Sequence, residues 1–183
     1  MALCSNRPEG FGPRSHLWRH MLTSCFIDTI LEPLATWIYL LLIALVFFLP
    51  PKSTKDSPPP SHRFLLIGYS VLMFAVAGML SVEIARLVLA DFGVGLLPFL
   101  YVAYLVALVL RWRRSMWRSE WKWCGVALWV MLIVVGVVKI IGEIKEGVNT
   151  RKGTKYPMSD QVTDVGVDIG LWFLLAGLEA FMS

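Results

Sequence analysis

Residues 124–141 read CGVALWVMLIVVGVVKII, an unbroken apolar run with a single charge, Lys139. A helix that crosses a bilayer needs roughly 20 mostly apolar residues, and this run reaches that length with its flanking positions. Over the whole chain of 183 residues, 57% are hydrophobic and only 16% charged, with a mean hydropathy of +0.66. Soluble domains carry about a quarter charged residues. A compact soluble core in so short a chain cannot hide this much apolar surface, whereas a bilayer can.

Similar runs lie on either side. Val94–Leu110 precedes it, with Pro98 expected to kink its first turns. Before that, Phe64–Leu80 continues to Ala90 with only Glu83 and Arg86 inside, and Asp91-Phe92-Gly93 breaks it. Leu34–Leu49 is free of charge, extends back to Phe26, and is stopped by Pro50-Pro51. Downstream, Val162–Met182 is interrupted by Asp164, Asp168 and Glu179. It reads as a fifth span rather than an interfacial helix, because Gly170–Gly177 is uniformly apolar.

The fold class expected is therefore an all-α integral membrane protein, a bundle of four to five transmembrane helices at about 26–49, 64–90, 93–110, 124–142 and 162–182. Residues 26–183 form a single transmembrane domain after a polar N-terminal segment, 1–25. The connections are a linker at 50–63 containing Pro58-Pro59-Pro60, a basic loop at 111–123 and a polar loop at 143–161. The first segment carries Arg7, Arg14 and Arg19 ahead of an apolar run, like a signal peptide. Asp28, Glu32 and Pro33 interrupt it and no small-residue cleavage site follows, so an uncleaved membrane anchor is expected.

Several chemistries find no support. Cys4, Cys25 and Cys124 are odd in number and lack metal spacing, so neither a disulfide framework nor a zinc site is expected. His16 and His20 are four apart without a further ligand nearby. No nucleotide-binding glycine loop, nucleophile elbow or metalloprotease motif occurs. The reading assigns no metal and no cofactor. Arg111, Arg113, Arg114, Arg118 and Lys122 interleave with Trp112, Trp117, Trp121 and Trp123. Between two spans this is an aromatic belt with cytoplasmic anchors facing the lipid bilayer, not a nucleic-acid surface.

The most informative pattern is where the embedded charges fall. With alternating spans, the start of the first, the ends of the second and fourth, and the start of the fifth share one side of the membrane. Those ends carry Asp28 and Glu32, then Glu83 and Arg86, then Lys139 and Glu143, then Asp164 and Asp168. Ionisable groups within spans are costly, face the bundle interior and mark functional sites by default. These eight residues are the candidate ligand or ion cluster, with Glu83 and Asp168 as candidate catalytic carboxylates. The competing structural reading satisfies acids at helix N-termini and a base at a C-terminus through the helix dipole, and pairs Glu83 with Arg86 three residues on. Lys139 and Asp168 are expected within salt-bridge reach across antiparallel helices.

In the fifth segment, about 100° per residue places Asp160, Asp164, Asp168 and Glu179 on one face, and Gly166, Gly170 and Gly177 nearly opposite. Gly166-x-x-x-Gly170 permits close approach between membrane helices. Either the acids look into the bundle while the glycines meet another chain, or the reverse. A membrane protein partner or homo-oligomer through this helix follows from the first alternative.

An arrangement of five spans with the N-terminus outside resembles the extra N-terminal membrane module found on some ABC transporters. The resemblance is one of topology, covers no diagnostic motif and transfers no residue. The function expected is that of a non-catalytic accessory, assembly or small solute-handling component. Two rivals stand beside it: a membrane-embedded enzyme using carboxylate acid–base chemistry on a lipophilic substrate, and a proton- or cation-coupled carrier.

Orientation follows from the density of bases in the loop at 111–123, which places it in the cytoplasm and residues 1–25 on the other side. A cysteine introduced near Gly10 should react with an impermeant thiol reagent in intact cells, and one near Arg114 should not. The reverse labelling pattern would invert the topology.

Overall fold

The computed structural model describes residue 7 and residues 23–48, 62–112, 119–146 and 155–181. The linker as far as residue 61, most of the segment 1–25 with His16 and His20, and the loop residues 113–118 and 147–154 lie outside the described residues. The described chain forms five helices and no strand: α1 (Ser24–Phe48), α2 (His62–Leu89), α3 (Leu100–Trp112), α4 (Ser119–Glu146) and α5 (Met158–Phe181).

Three segments, Ser24–Phe48, Phe64–Leu89 and Trp123–Lys145, are long and apolar enough to cross a membrane. Many of their large apolar side chains point outward, with Phe48 86% and Phe64 80% exposed. A contiguous apolar exterior of this kind suits hydrocarbon rather than water. The fold is an all-α membrane bundle. The remaining two helices complete it: α3, apolar but short, and α5, whose carboxylates are mostly turned inward.

Two helix boundaries differ from the hydropathy pattern for local reasons. The third apolar run does not become helical at residue 93. Asp91 and Gly95 both take positive φ (56° and 59°), and a 3-10 turn at Leu97–Phe99 carries Pro98 into α3. Proline is tolerated at a helix entrance because its missing N–H would have had no partner there. The fourth helix begins at Ser119, so Trp121 and Trp123 are helical, and Arg111 lies in the last turn of α3 rather than in a loop.

The Asp91–Leu96 turn is pressed against the beginning of α1. A side chain at Gly95 would bring a Cβ within 2.8 Å of Thr29 Oγ1 and 3.0 Å of the Asp28 carbonyl oxygen. Only glycine supplies both this backbone conformation and this clearance. Residues Ile27–Leu31 of α1 form a π-helical turn in which the Glu32 N–H reaches back to the Ile27 carbonyl. Continuing that register would require a donor from residue 33, which is proline. The Asp28 carbonyl is instead met by the Leu96 N–H at 3.3 Å. The sequence Asp28–Pro33 thus widens the helix and ties it to the neighbouring turn, a local departure of the kind that accumulates at sites.

Helices α4 and α5 make the most extensive contact in the bundle. They run antiparallel, since Gly125 faces Glu179 and Gly136 faces Ile169 and Trp172. Gly125 and Gly136 are eleven residues apart, about three turns, and so share a face. A Cβ at Gly136 would lie 2.9 Å from Ile169 and 3.0 Å from Trp172. Tight packing between these helices is made by the glycines of α4. Those of α5 point elsewhere: a Cβ at Gly166, Gly170 or Gly177 would meet nothing within 4 Å. The interior is filled by Tyr69, Leu128, Trp129, Leu132 and Leu175, and the Trp172 indole donates to the Tyr104 hydroxyl at 3.3 Å.

Gly136→Leu should therefore lower bundle stability by about 1–3 kcal/mol through overpacking, measured by thermal unfolding in detergent. Gly170→Leu should change it by less than about 0.5 kcal/mol.

Candidate functional site

Lys139 reaches the apolar centre because it continues the buried face of α4, three residues beyond Gly136. Its ammonium is fully buried and touches three carboxylates: Asp28 at 2.7 Å, Glu32 at 3.1 Å and Glu83 at 2.7 Å. Asp28 and Glu32 are one turn apart on α1, and Glu83 comes from α2. Three helices are thus tied by one amino group, which has three N–H donors and no acceptor.

Asp28 has a second cation. Arg7, itself buried, donates to Asp28 Oδ2 at 2.7 Å and to Ser24 Oγ at 3.2 Å. Its Nη2 and Nε both donate to the Gly93 carbonyl, at 2.7 and 3.1 Å. The N-terminal arginine thereby clamps the start of α1 to the α2–α3 turn. Cys25, in the same turn of α1, is disulfide-bonded, whereas Cys124 is free. The expectation of no disulfide is corrected here; odd cysteine number does not prevent a single bridge. The remaining cysteine, Cys4, lies outside the described residues.

Toward the membrane surface on this side, Arg86 pairs with Asp164 at 2.7 Å and lies 5.8 Å from the centre of the Tyr156 ring. Tyr156 donates to the same Asp164 oxygen at 3.1 Å. Burial pushes the Tyr156 hydroxyl well above its ordinary pKa, which keeps it a donor. Glu143, one turn beyond Lys139, is buried at the same end.

The structure therefore brings the four helix ends together as the charge pattern implied. Two pairings differ. Lys139 is not bridged to Asp168, because α1 packs directly on α4 and delivers two acids to the ammonium, with Glu83 of α2 supplying a third. Glu83 does not pair with Arg86, since the two point to different partners, Lys139 and Asp164. Asp168 is 5% exposed, and its Oδ1 has no hydrogen-bond partner among the described residues. Along α5, Asp164, Asp168 and Glu179 face inward, while Asp160 at the helix start is exposed.

Sequence reasoning missed three participants. Arg7 sits in a polar segment far from its partners. Arg111 reads as a loop base, yet it is buried and bonded to Glu179 at 2.7 Å, with its guanidinium 5.8 Å from the Tyr69 ring centre. The opposite end of the bundle is thus also ion-paired. Gly125 and Gly136 were the third omission, and their eleven-residue spacing was the available signal.

Removing Lys139 alone strands three carboxylates in an apolar interior. Lys139→Met should cost about 3–5 kcal/mol, the range for breaking a buried ion pair, measured by thermal or denaturant unfolding. Arg111→Met combined with Glu179→Leu should cost much less than Arg111→Met alone, because apolar replacement of both partners leaves no unpaired charge.

The model of the ABC transporter TMD0 domain matches residues 1–156. The match takes in α1 to α4, the whole Lys139 site and Arg7, and stops before α5, which contributes Asp164, Asp168 and Glu179. No curated protein and no solved structure matches the chain. A bundle of apolar helices closed by internal ion pairs agrees with a membrane domain of this kind, and with the family matched over most of its length, the chain belongs to the ABC transporter TMD0 domain family.

Proposed function

We propose that this chain is a non-catalytic accessory domain whose task is association within the membrane, through the outward face of α5, with another membrane protein or a second copy. The carrying observation is the division of α5 into two faces. Asp164 and Glu179 are held inward by Arg86 and Arg111, and a Cβ at Gly166, Gly170 or Gly177 would meet no described atom within 4 Å. Phe173 and Leu174, 71% and 54% exposed, lie within the Gly170–Gly177 stretch and give it apolar bulk. A groove bordered by such residues lets a second helix come close, and membrane helices associate largely through packing of this sort.

The ion pairs support the accessory reading over its rivals. An enzyme needs its carboxylates free beside a cavity, but Glu83 is engaged by Lys139. A groove of about 280 Å³ between α2 and α3 is lined by Met73, Phe74, Ala77, Leu105, Leu108 and two tyrosines, without either candidate carboxylate. A carrier needs a polar path through both leaflets, and the far-end charges Arg111 and Glu179 are paired with each other. In orientation, the bridged Cys25 favours an oxidising compartment for the N-terminal side. That agrees with a cytoplasmic basic loop between α3 and α4.

Replacing Gly166 and Gly170 together by Ile should reduce cross-linking of the chain to itself or to an ABC transporter core by about tenfold, roughly 1.4 kcal/mol of association free energy. Membrane insertion should be unchanged. Undiminished cross-linking would assign these glycines to the lipid boundary instead.

A further inference from the structure

We propose that Asp168 is a proton-binding site in the middle of the bundle, an assignment independent of the association role. The residue lies near the midpoint of α5, is 5% exposed, and has an oxygen for which the described structure offers no donor. Every helix that approaches it contributes a polar group. Glu32 comes from α1, Glu83 from α2, Tyr104 from α3 and Lys139 from α4, with Asp164 one turn earlier on α5 itself. The one cation among these is Lys139, and its ammonium is already surrounded by Asp28, Glu32 and Glu83. Arg86 is taken by Asp164 and Arg7 by Asp28. The Tyr104 hydroxyl accepts from the Trp172 indole.

The charges facing this region do not balance. Among the described residues the cations Arg7, Arg86 and Lys139 stand against Asp28, Glu32, Glu83, Glu143, Asp164 and Asp168. Four of these carboxylates form ion pairs, whereas Asp168 Oδ1 has no hydrogen-bond partner among the described residues. A buried carboxylate oxygen without a donor is a state an apolar interior tolerates poorly. A metal ion would neutralise it only inside a cage of several oxygens, and no three described His, Cys, Asp or Glu side chains form one. A proton needs a single oxygen. Taken from water, it converts the Asp168 carboxylate to a carboxylic acid and adds one O–H donor to a neighbourhood rich in acceptors. Returned to water, it restores the charge and the repulsion from Glu32, Glu83 and Asp164. Packing of α5 against α4 and α2 is thereby linked to proton uptake at one residue.

The test is infrared difference spectroscopy of the full chain in phosphatidylcholine bilayers during a pH sweep. At neutral pH a protonated-carboxyl C=O band should be present, lost on raising the pH, absent from Asp168→Asn and retained in Asp164→Asn. Absence of the band from the native chain, or its persistence in Asp168→Asn, would overturn the assignment. Bleaching of the band by sodium at constant pH would also overturn it, in favour of a metal cation. If Asp168→Asn does not fold, Asp168→Glu keeps the carboxyl and should shift the band. A band that does not move in that variant would equally exclude Asp168.

Discussion

The bundle depends on one buried ammonium. Lys139 sits buried within a membrane-spanning helix, where an isolated charge is expensive, by about 2.5–3.5 kcal/mol on insertion scales. Three carboxylates from two other helices offset that cost, two of them at 2.7 Å. Because those acids belong to α1 and α2, the same interaction that makes the lysine tolerable also fixes where α1, α2 and α4 meet. Van der Waals packing between membrane helices is weakly directional, and hydrocarbon gives no hydrophobic drive toward association. A charge that can be satisfied in one arrangement supplies the direction. Such a centre specifies an arrangement more than it adds net stability, since an apolar replacement of all its members would avoid the desolvation altogether.

The surrounding backbone is shaped to keep those charges in place. Pro33 withholds an N–H, the first helix widens into a π turn, and the released Asp28 carbonyl is capped by Leu96. Gly95 lets the α2–α3 turn come close enough for that contact. Arg7 then joins Asp28 to the Gly93 carbonyl of the same turn. The second ion pair, Arg111–Glu179, does the equivalent task at the other end, holding α5 against α3. Between the two ends the glycines of α4 set the α4–α5 spacing, which leaves the glycines of α5 free to face outward.

Much of this was legible in the residues. The apolar runs located the helices, and alternation of direction alone placed Asp28, Glu83, Lys139 and Asp164 on one side. Individual partners were not legible, because pairing depends on which helices touch. Adjacency in the chain suggested α4 with α5 for Lys139, whereas α1, distant in sequence, carries two of its three acids. Arg7 was hidden for the same reason. The Gly166-x-x-x-Gly170 pattern was conspicuous and the Gly125–Gly136 pair was not, yet the second pair packs the bundle. Spacing marks residues that share a face, but only the fold says whether that face looks inward. The helix boundaries moved where hydropathy is silent about φ, at Asp91, Gly95 and Pro98.

A single lysine side chain gathers acids from separate helices. Solid-state NMR dephasing between ¹⁵Nζ of Lys139 and ¹³C-labelled carboxyl groups, in lipid bilayers, reads this contact without altering any residue. Strong dephasing is expected from both Asp28 and Glu83, matching ammonium–oxygen distances of 2.7 Å, together with a charged-amine ¹⁵N shift. Absence of dephasing from either aspartate or glutamate label, or a neutral-amine shift, would contradict it.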